Sequence, residues 1–429
     1  MPFLWGVATS SYQLEGAFSN DWTDWEAAGR LRDAGERCGA ATGHRHRWKS
    51  DFGLLSSIGA NAYRFSLEWS RIEPKPGEFD RTALAIERER VEWLRRSGIE
   101  PVVTLQHFTH PRWFHAEGGW ESPKSVDRFA QFARVVAEAL SPDVSMWVTV
   151  NEPIVLLLGG YLGGLMPPGR SSFAAAAKAL EHILRAHSQA AGVLRESRPG
   201  TRVGIAHNML EFAPDRSDSG LDRRVAQAGE RLYNGALIEA VATGNVDWRF
   251  PGEGRAAFKL PDFPSAHDFL GVNYYSRVHL RFRGFPGQVG GYSYRDPQGR
   301  GLTETGWEVR PEGFDRVLVD ATAAGRPILV TENGIAARDD RRRCDFLREH
   351  AVVLAHRRAA GTPIEGYFHW SLLDNFEWLE GFRPRFGLFE VDYATLARRR
   401  RPSADLFSRL GRAFTPAGAD APSSVGARS

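Results

Sequence analysis

VTVNEP, residues 148–153, is an apolar run rich in β-branched residues that stops on an asparagine, a glutamate and a proline. ILVTENG, residues 328–334, behaves in the same way and places Glu332 where its hydrophobic residues give out. These two runs, read as VSMWVTV (144–150) and PILVTEN (from 327), have six counterparts. They are FLWGVA (3–8), NAYRFSL (61–67), IEPVVTLQ (99–106), RVGIAHN (from 202), DFLGVNYY (from 268) and IEGYFHWSL (from 364). Between them the apolar spacing turns helical. Helices are expected over 49–58, with Phe52 and Leu55 on one face, over 82–97 ending at Gly98, and from Ser122 and Pro123 to Leu140. Two more are expected from Pro311 to Gly325 and from Cys344 to Gly361. Eight alternating units predict an α/β fold, a single closed (β/α)8 TIM barrel. An open doubly wound sheet more often carries a glycine-rich phosphate loop after its first strand, whereas here the first strand runs into ATSSYQLEGA.

At 429 residues and 42% hydrophobic the chain can bury a large core. No repeat or linker divides it. Residues 1–414 are expected to form one barrel, and the small, polar segment 415–429 a disordered tail. The long glycine-rich stretch from about Val278 to Gly306 reads as a rim loop. The formal charge of +3 comes from 55 basic and 52 acidic residues that are interspersed, which argues against a nucleic-acid partner. The runs 341–343 and 398–401 read as solvated arginines at helix ends or turns. Cys38 and Cys344 belong to no metal-ligand or CxxC spacing and suit a reducing compartment. No apolar run approaches a membrane span, and MPFLWGVATSS has no basic segment or apolar core of a secretory signal, so a soluble cytoplasmic protein is expected.

Barrel enzymes place their chemistry at the C-terminal ends of the strands. Here those ends carry Arg64, His107, Asn151 with Glu152, Asn273 with Tyr275, Glu332 with Asn333, and Trp370. Each alone is as well explained by packing as by function, but their convergence on one rim is harder to dismiss. Two carboxylates beside an arginine suit an oxocarbenium-like transition state, in which one acid donates a proton while the other stays ionised. Arg64 is expected to keep one carboxylate charged, and a drier wall and mutual repulsion to raise the pKa of the other. HWSLLDNFEWLEGF (369–382) adds the indole faces of Trp370 and Trp378 and the carboxylate of Glu377. That combination fits a sugar ring, apolar on its C–H faces and polar at its edge. On these grounds alone, ordinary ion-paired strand ends stay open for the two glutamates.

Six segments in order, FLWGVATSSYQLEGA, YRFSLEWSRIEP (63–74), VNEP, VTENG, HWSLLDNFEW and RFGLFEVDY (385–393), resemble family 1 glycoside hydrolases, the retaining β-glucosidase group, over residues 3–407. The resemblance implies that Glu332 is the nucleophile and Glu152 the acid/base, with Arg64 and Tyr275 tuning Glu332 and Asn273 in the catalytic group. It implies that Asn151 bonds the 2-hydroxyl, that Gln13, His107, Glu377 and Trp378 grip the other hydroxyls, and that Trp370 is the stacking floor. Trp307, in TGWEVRP, would be the aromatic platform on the leaving-group side, and Phe386, in RFGLFEVDY, joins the substrate-binding group. The implied substrate is a small β-glycoside or short oligosaccharide with a terminal β-D-glucosyl residue, galactosyl and fucosyl being close alternatives. Neither cofactor nor metal is implied, His44 and His46 reading as a polar loop, and self-association is neither required nor excluded.

The chain departs from the family in QHFTHP (106–111), where Phe108 follows His107 and many relatives have a tryptophan. A 6-phospho-β-glycosidase is the nearest rival, disfavoured because Glu377 would repel a phosphate and no lysine follows in the C-terminal region. A sugar-binding barrel without activity would be expected to lack Glu152 or Glu332, and a transglycosidase would share every motif.

Overall fold

The computed structural model describes residues 2–250, 252–284 and 291–415. Its main sheet contains eight parallel strands: β1 Leu4–Ala8, β2 Ala62–Ser66, β3 Glu100–Gln106, β4 Met146–Asn151, β5 Arg202–Pro214, β6 Phe269–Arg281, β7 Ile328–Asn333 and β8 Ile364–Trp370. Each pairs with the next, β8 pairs with β1 and β6 pairs with β7, which closes the barrel.

The near-continuous hydrophobicity of these strands follows from burial on both faces. Ala62, Val102, Met146, Val148, Phe269, Leu329 and Phe368 belong to the cluster that fills the barrel. Their neighbours Tyr63, Val103, Trp147, Leu270, Val330 and Tyr367 join the larger cluster beneath the helices. Each fully buried large side chain of this kind contributes about 1.5–3 kcal/mol.

All eight strands lie where the apolar runs predict them, but two are longer. β5 continues to Pro214 and β6 to Arg281, and they stay paired beyond the rim, from Glu211 opposite Arg277 to Pro214 opposite Leu280. The stretch expected to be loop from Val278 therefore begins as strand, and His279 to Arg281 pair with Gly291–Ser293 in an antiparallel turn-back. The expected tail, 415–429, lies outside the described residues after Thr415.

The helices covering the barrel include His44–Ser57, Arg81–Arg96, Lys124–Leu140, Phe173–Ser197, Pro311–Ala321, Asp340–Ala359 and Pro402–Phe414. Between β5 and β6, Gly220–Glu230 runs through a π turn at Arg231–Gly235 into Ala236–Thr243. Asp80, Ser172, Ser219 and Asp339 accept from first-turn N–H groups that have no partner within the helix, which is why the helices begin there.

Two expectations need correction. His44 is the buried first residue of a helix and not part of a polar loop, and its Nδ1 lies 2.8 Å from Asp51, which Arg398 also grips. The arginine runs are only partly solvated. Arg343 is fully buried against Asp340 and the Ala337 carbonyl, and Arg401 makes a two-pronged pair with buried Asp374. An aspartate within reach compensates each buried guanidinium. Asp340 is one helical turn from Arg343, whereas Asp374 lies 27 residues from Arg401, a pairing that separation in sequence conceals. No helix among the described residues is long and apolar enough to cross a membrane.

Candidate active site

Strict alternation along β4 would point Val148, Val150 and Glu152 into the barrel and Asn151 out of it. The structure inserts an extra residue between Val148 and Asn151 relative to β5. Thr149 faces outward to His187, Val150 packs with the outer cluster and Asn151 turns inward. Glu152 then takes a left-handed conformation, φ 50° and ψ 58°, as the chain leaves the strand. β7 has the same kind of irregularity between Val330 and Glu332. Thr331 bonds Asn273 inside the barrel and Glu332 also reaches inward. A bulge re-aims a side chain that regular pleating would send elsewhere. Gly334 completes the turn of ILVTENG, because a Cβ there would lie 1.9 Å from the Trp370 carbonyl oxygen.

Both glutamates are buried, and their partners differ in charge. Glu332 Oε1 accepts from Arg64 Nη1 at 2.6 Å, and Oε2 accepts from the Tyr275 hydroxyl at 2.7 Å. Arg64 is itself held by Thr104 Oγ1, the Thr331 carbonyl and Asn151 Oδ1. Glu152 Oε1 accepts only from neutral amides, Asn273 Nδ2 at 2.7 Å and Asn208 Nδ2 at 3.0 Å. Burial pushes both carboxyls up, but the guanidinium and phenol oppose the rise at Glu332. At Glu152 burial and the charge of Glu332 act together, and its pKa reaches about 7. A charge-assisted bond is roughly twice as strong as a neutral one, so a proton shared by the pair resides on Glu152.

Tyr275 offers a direct test of this asymmetry. Tyr275→Phe removes one donor to ionised Glu332, which raises its pKa and moves the acid limb of kcat/KM to higher pH. Loss of a hydrogen bond to a charged group is expected to cost about 10- to 100-fold in kcat. A pH–rate profile measured on Tyr275→Phe checks this, and an unmoved acid limb would contradict the role.

Around the carboxylates the amide orientations follow from their neighbours. Arg64 only donates, so the Asn151 oxygen faces it and the Asn151 amide nitrogen faces His107 Nε2 at 3.2 Å. Burial and the Arg64 charge hold His107 well below its ordinary pKa, so it is neutral. Nε2 then accepts, and Nδ1 carries a proton that finds no partner within the protein. Gln13 donates to Glu377 Oε2 and to Asn375 Oδ1, both at 3.0 Å, and its own oxygen accepts from Ser10. Burial, followed by the charges of Glu332 and Glu152, pushes Glu377 up to about 8. Burial and the neighbouring carboxyls thus favour the neutral form of Glu377, which weakens charge repulsion as an argument against a phosphorylated substrate.

Glu152, Glu332, Tyr275, Trp307, Trp370, Glu377 and Trp378 line one cavity of about 320 Å³ at the C-terminal end of the barrel. Arg64, Asn151, Asn273, His107 and Gln13 stand behind or beneath that lining and orient it through the bonds above. Trp378 lies parallel to His107, ring centroids 6.0 Å apart, and Phe108 meets its edge at 5.2 Å. Phe386 also lies outside the lining, but unlike Gln13, His107 and Asn151 it brings no polar group. It is 1% exposed and backs Tyr275 and Trp307, so it supports the wall and is not part of the lining.

Asn208 and Tyr233 line the same cavity, and the sequence reading passes over both. Tyr233 donates to Asn208 Oδ1 at 2.7 Å and so aims the Asn208 amide at Glu152. Asn208 had a signal, as the polar end of RVGIAHN; Tyr233, on the π turn, had none. Among the described residues, no three His, Cys, Asp or Glu side chains group as a metal ion would require.

The family model of glycosyl hydrolase family 1 matches residues 1–413. Beta-glucosidase A of Thermotoga maritima is 33% identical over 95% of this chain and 96% of that protein. A bifunctional beta-D-glucosidase/beta-D-fucosidase of Bifidobacterium breve is 31% identical over 95% of this chain and 97% of its own length. Among solved structures, a beta-glycosidase from Pyrococcus horikoshii superposes with a TM-score of 0.87 at 36% identity, covering 96% of both chains.

Proposed function

The chain belongs to glycosyl hydrolase family 1, and on that premise we propose that it is a retaining β-glycosidase acting on terminal non-reducing β-D-glucosyl residues. The observation that carries this reading is the unequal treatment of two buried carboxylates, one bound by a guanidinium and a phenol and the other by amides alone.

Ionised Glu332 attacks the anomeric carbon while Glu152 gives its proton to the departing oxygen, forming a covalent glycosyl-Glu332 and a free alcohol. Water then attacks the same carbon as Glu152 takes its proton, releasing the sugar with its original configuration. As the ester forms, Glu332 loses its charge, and the pKa of Glu152 falls because repulsion by Glu332 was one of the two causes raising it. The acid thereby becomes a competent base. Arg64 and Tyr275 hold Glu332, Asn273 and Asn208 hold Glu152, and Asn151, Gln13, His107 and Glu377 bond hydroxyls over the Trp370 and Trp378 faces.

The pH dependence follows with a definite sign. Activity rises as Glu332 ionises, at a pH above the ordinary carboxylate value because burial raises its pKa. It falls as Glu152 loses its proton near pH 7. The expected kcat/KM profile is a bell with its alkaline limb around neutrality, and a profile flat from weakly acidic to alkaline pH would remove Glu152 from the acid role.

Release of 4-nitrophenol from its β-D-glucoside, β-D-galactoside, β-D-fucoside and 6-phospho-β-D-glucoside, run beside Glu332→Ala, tests the function. Hydrolysis of a neutral glycoside that vanishes in the variant supports it. Preference for the phosphorylated sugar would transfer the reading to a 6-phospho-β-glycosidase. We assign residues 1–414 to one catalytic domain and place the protein in the cytoplasm, a location that suits two unpaired cysteines, Cys38 and Cys344.

A further inference from the structure

Beside the catalytic cavity lies a second, larger one of about 570 Å³, and the two share Val155, Met166, Leu210, Tyr233 and Tyr294 in their walls. It exists because β5 and β6 run on past the barrel rim and the helix Gly220–Glu230 lies against them. Phe212 and Leu280 come from the strand extensions, Val225 from the helix, and Leu158 and Leu162 from the turns that follow Glu152. At Gly229 a Cβ would lie 2.6 Å from Leu280 Cδ1, so the helix rests directly on the extended sheet.

Two features assign an occupant. The cavity adjoins the acid/base side of the site, since Val155 follows Glu152 by three residues and Tyr233 positions the Asn208 that binds Glu152. The five residues common to both walls put the cavity beside the carboxyl that would serve the leaving oxygen. The second feature is chemistry: among the described residues no charged side chain lines the cavity. A sugar leaving group needs fixed donors and acceptors to replace its water, and an apolar wall leaves them unpaired.

Resting on the retaining-glycosidase reading, we propose that this cavity receives the leaving group, and that the natural substrate is a β-glucoside of an apolar alcohol, alkyl or aryl, in preference to a gluco-oligosaccharide. Its volume falls within the range of about 300–1,000 Å³ typical of small-molecule sites.

Hydrolysis of methyl, butyl, hexyl and octyl β-D-glucosides, kept below micelle-forming concentrations, is compared with that of cellobiose. kcat/KM is expected to rise by up to about fourfold per methylene until the cavity is filled. Octyl glucoside should outrun cellobiose. Val225→Asp and Leu162→Asp, each placing a carboxylate in the wall, should bring the octyl-to-methyl ratio toward one. A flat series in the unaltered protein, or a preference for cellobiose over octyl glucoside, overturns the proposal while leaving the glycosidase reading intact. A steep series that survives both aspartates overturns the location. Silence on every glucoside removes the glycosidase reading and this inference with it.

Discussion

Glu332→Ala is expected to lower kcat on any β-glucoside by about 10⁵-fold or more, because it deletes the atom that forms the covalent bond. The loss should be the largest of any single substitution in the cavity. It also strands Arg64, a buried guanidinium whose partner at 2.6 Å is gone, so Glu332→Gln is the companion that keeps side-chain shape and reports on folding. Added azide provides a sharper readout than activity alone. In the alanine variant it can enter the emptied space and attack the anomeric carbon from the face Glu332 occupied. With a 2,4-dinitrophenyl β-D-glucoside the product is then the α-glucosyl azide. Residual turnover within about tenfold of the parent, or no azide adduct from a folded variant, would take the nucleophile's role away from Glu332.

Glu152→Ala should separate substrates by how much they need a proton. Alkyl glucosides, whose alkoxides leave poorly, should lose about 10²–10⁴-fold, the usual worth of general acid catalysis. The 2,4-dinitrophenyl glucoside needs no acid to leave and should retain most of its first-step rate. Its second step still lacks a base, so the glycosyl-enzyme accumulates and product appears as a burst followed by a slow phase. The alkaline limb near pH 7 should vanish from its kcat/KM, since the group titrating there has been removed. Azide attacking the accumulated intermediate in the place of water yields the β-glucosyl azide, the opposite anomer from that of Glu332→Ala. Equal losses on both substrates with no burst would contradict the assignment.

Much of this arrangement is legible before folding, and the reasons are local. A parallel strand buried on both faces has to be an unbroken apolar run, so the eight runs mark the eight strands. A strand in a barrel ends at the rim, so the polar residue that stops the run marks the site. That logic finds Glu152, Glu332, Arg64, Asn273 and Tyr275, and it could have found Asn208. It gives no depth, however, and the packing puts Phe386 behind Trp307. It also misses Tyr233, because an aromatic on a helix looks the same whether it fills a core or orients an amide.

The amino-acid sequence by itself determined the strand order, the barrel and which two carboxylates stand at strand ends on its rim, since hydrophobic period and segment length act between near neighbours in the chain. Three things were decided only by tertiary structure. The extra residues in β4 and β7 turn Asn151 and Glu332 inward against the alternation, because pairing with β5 and β6 sets their register. The two glutamates separate in proton affinity because Arg64 reaches Glu332 across 268 residues of chain and Asn273 reaches Glu152 across 121. The apolar chamber beside them arises where β5 and β6 stay paired past the rim under a helix. Register, hydrogen-bond partners and the exclusion of water depend on which distant segments meet, and no local pattern encodes that meeting.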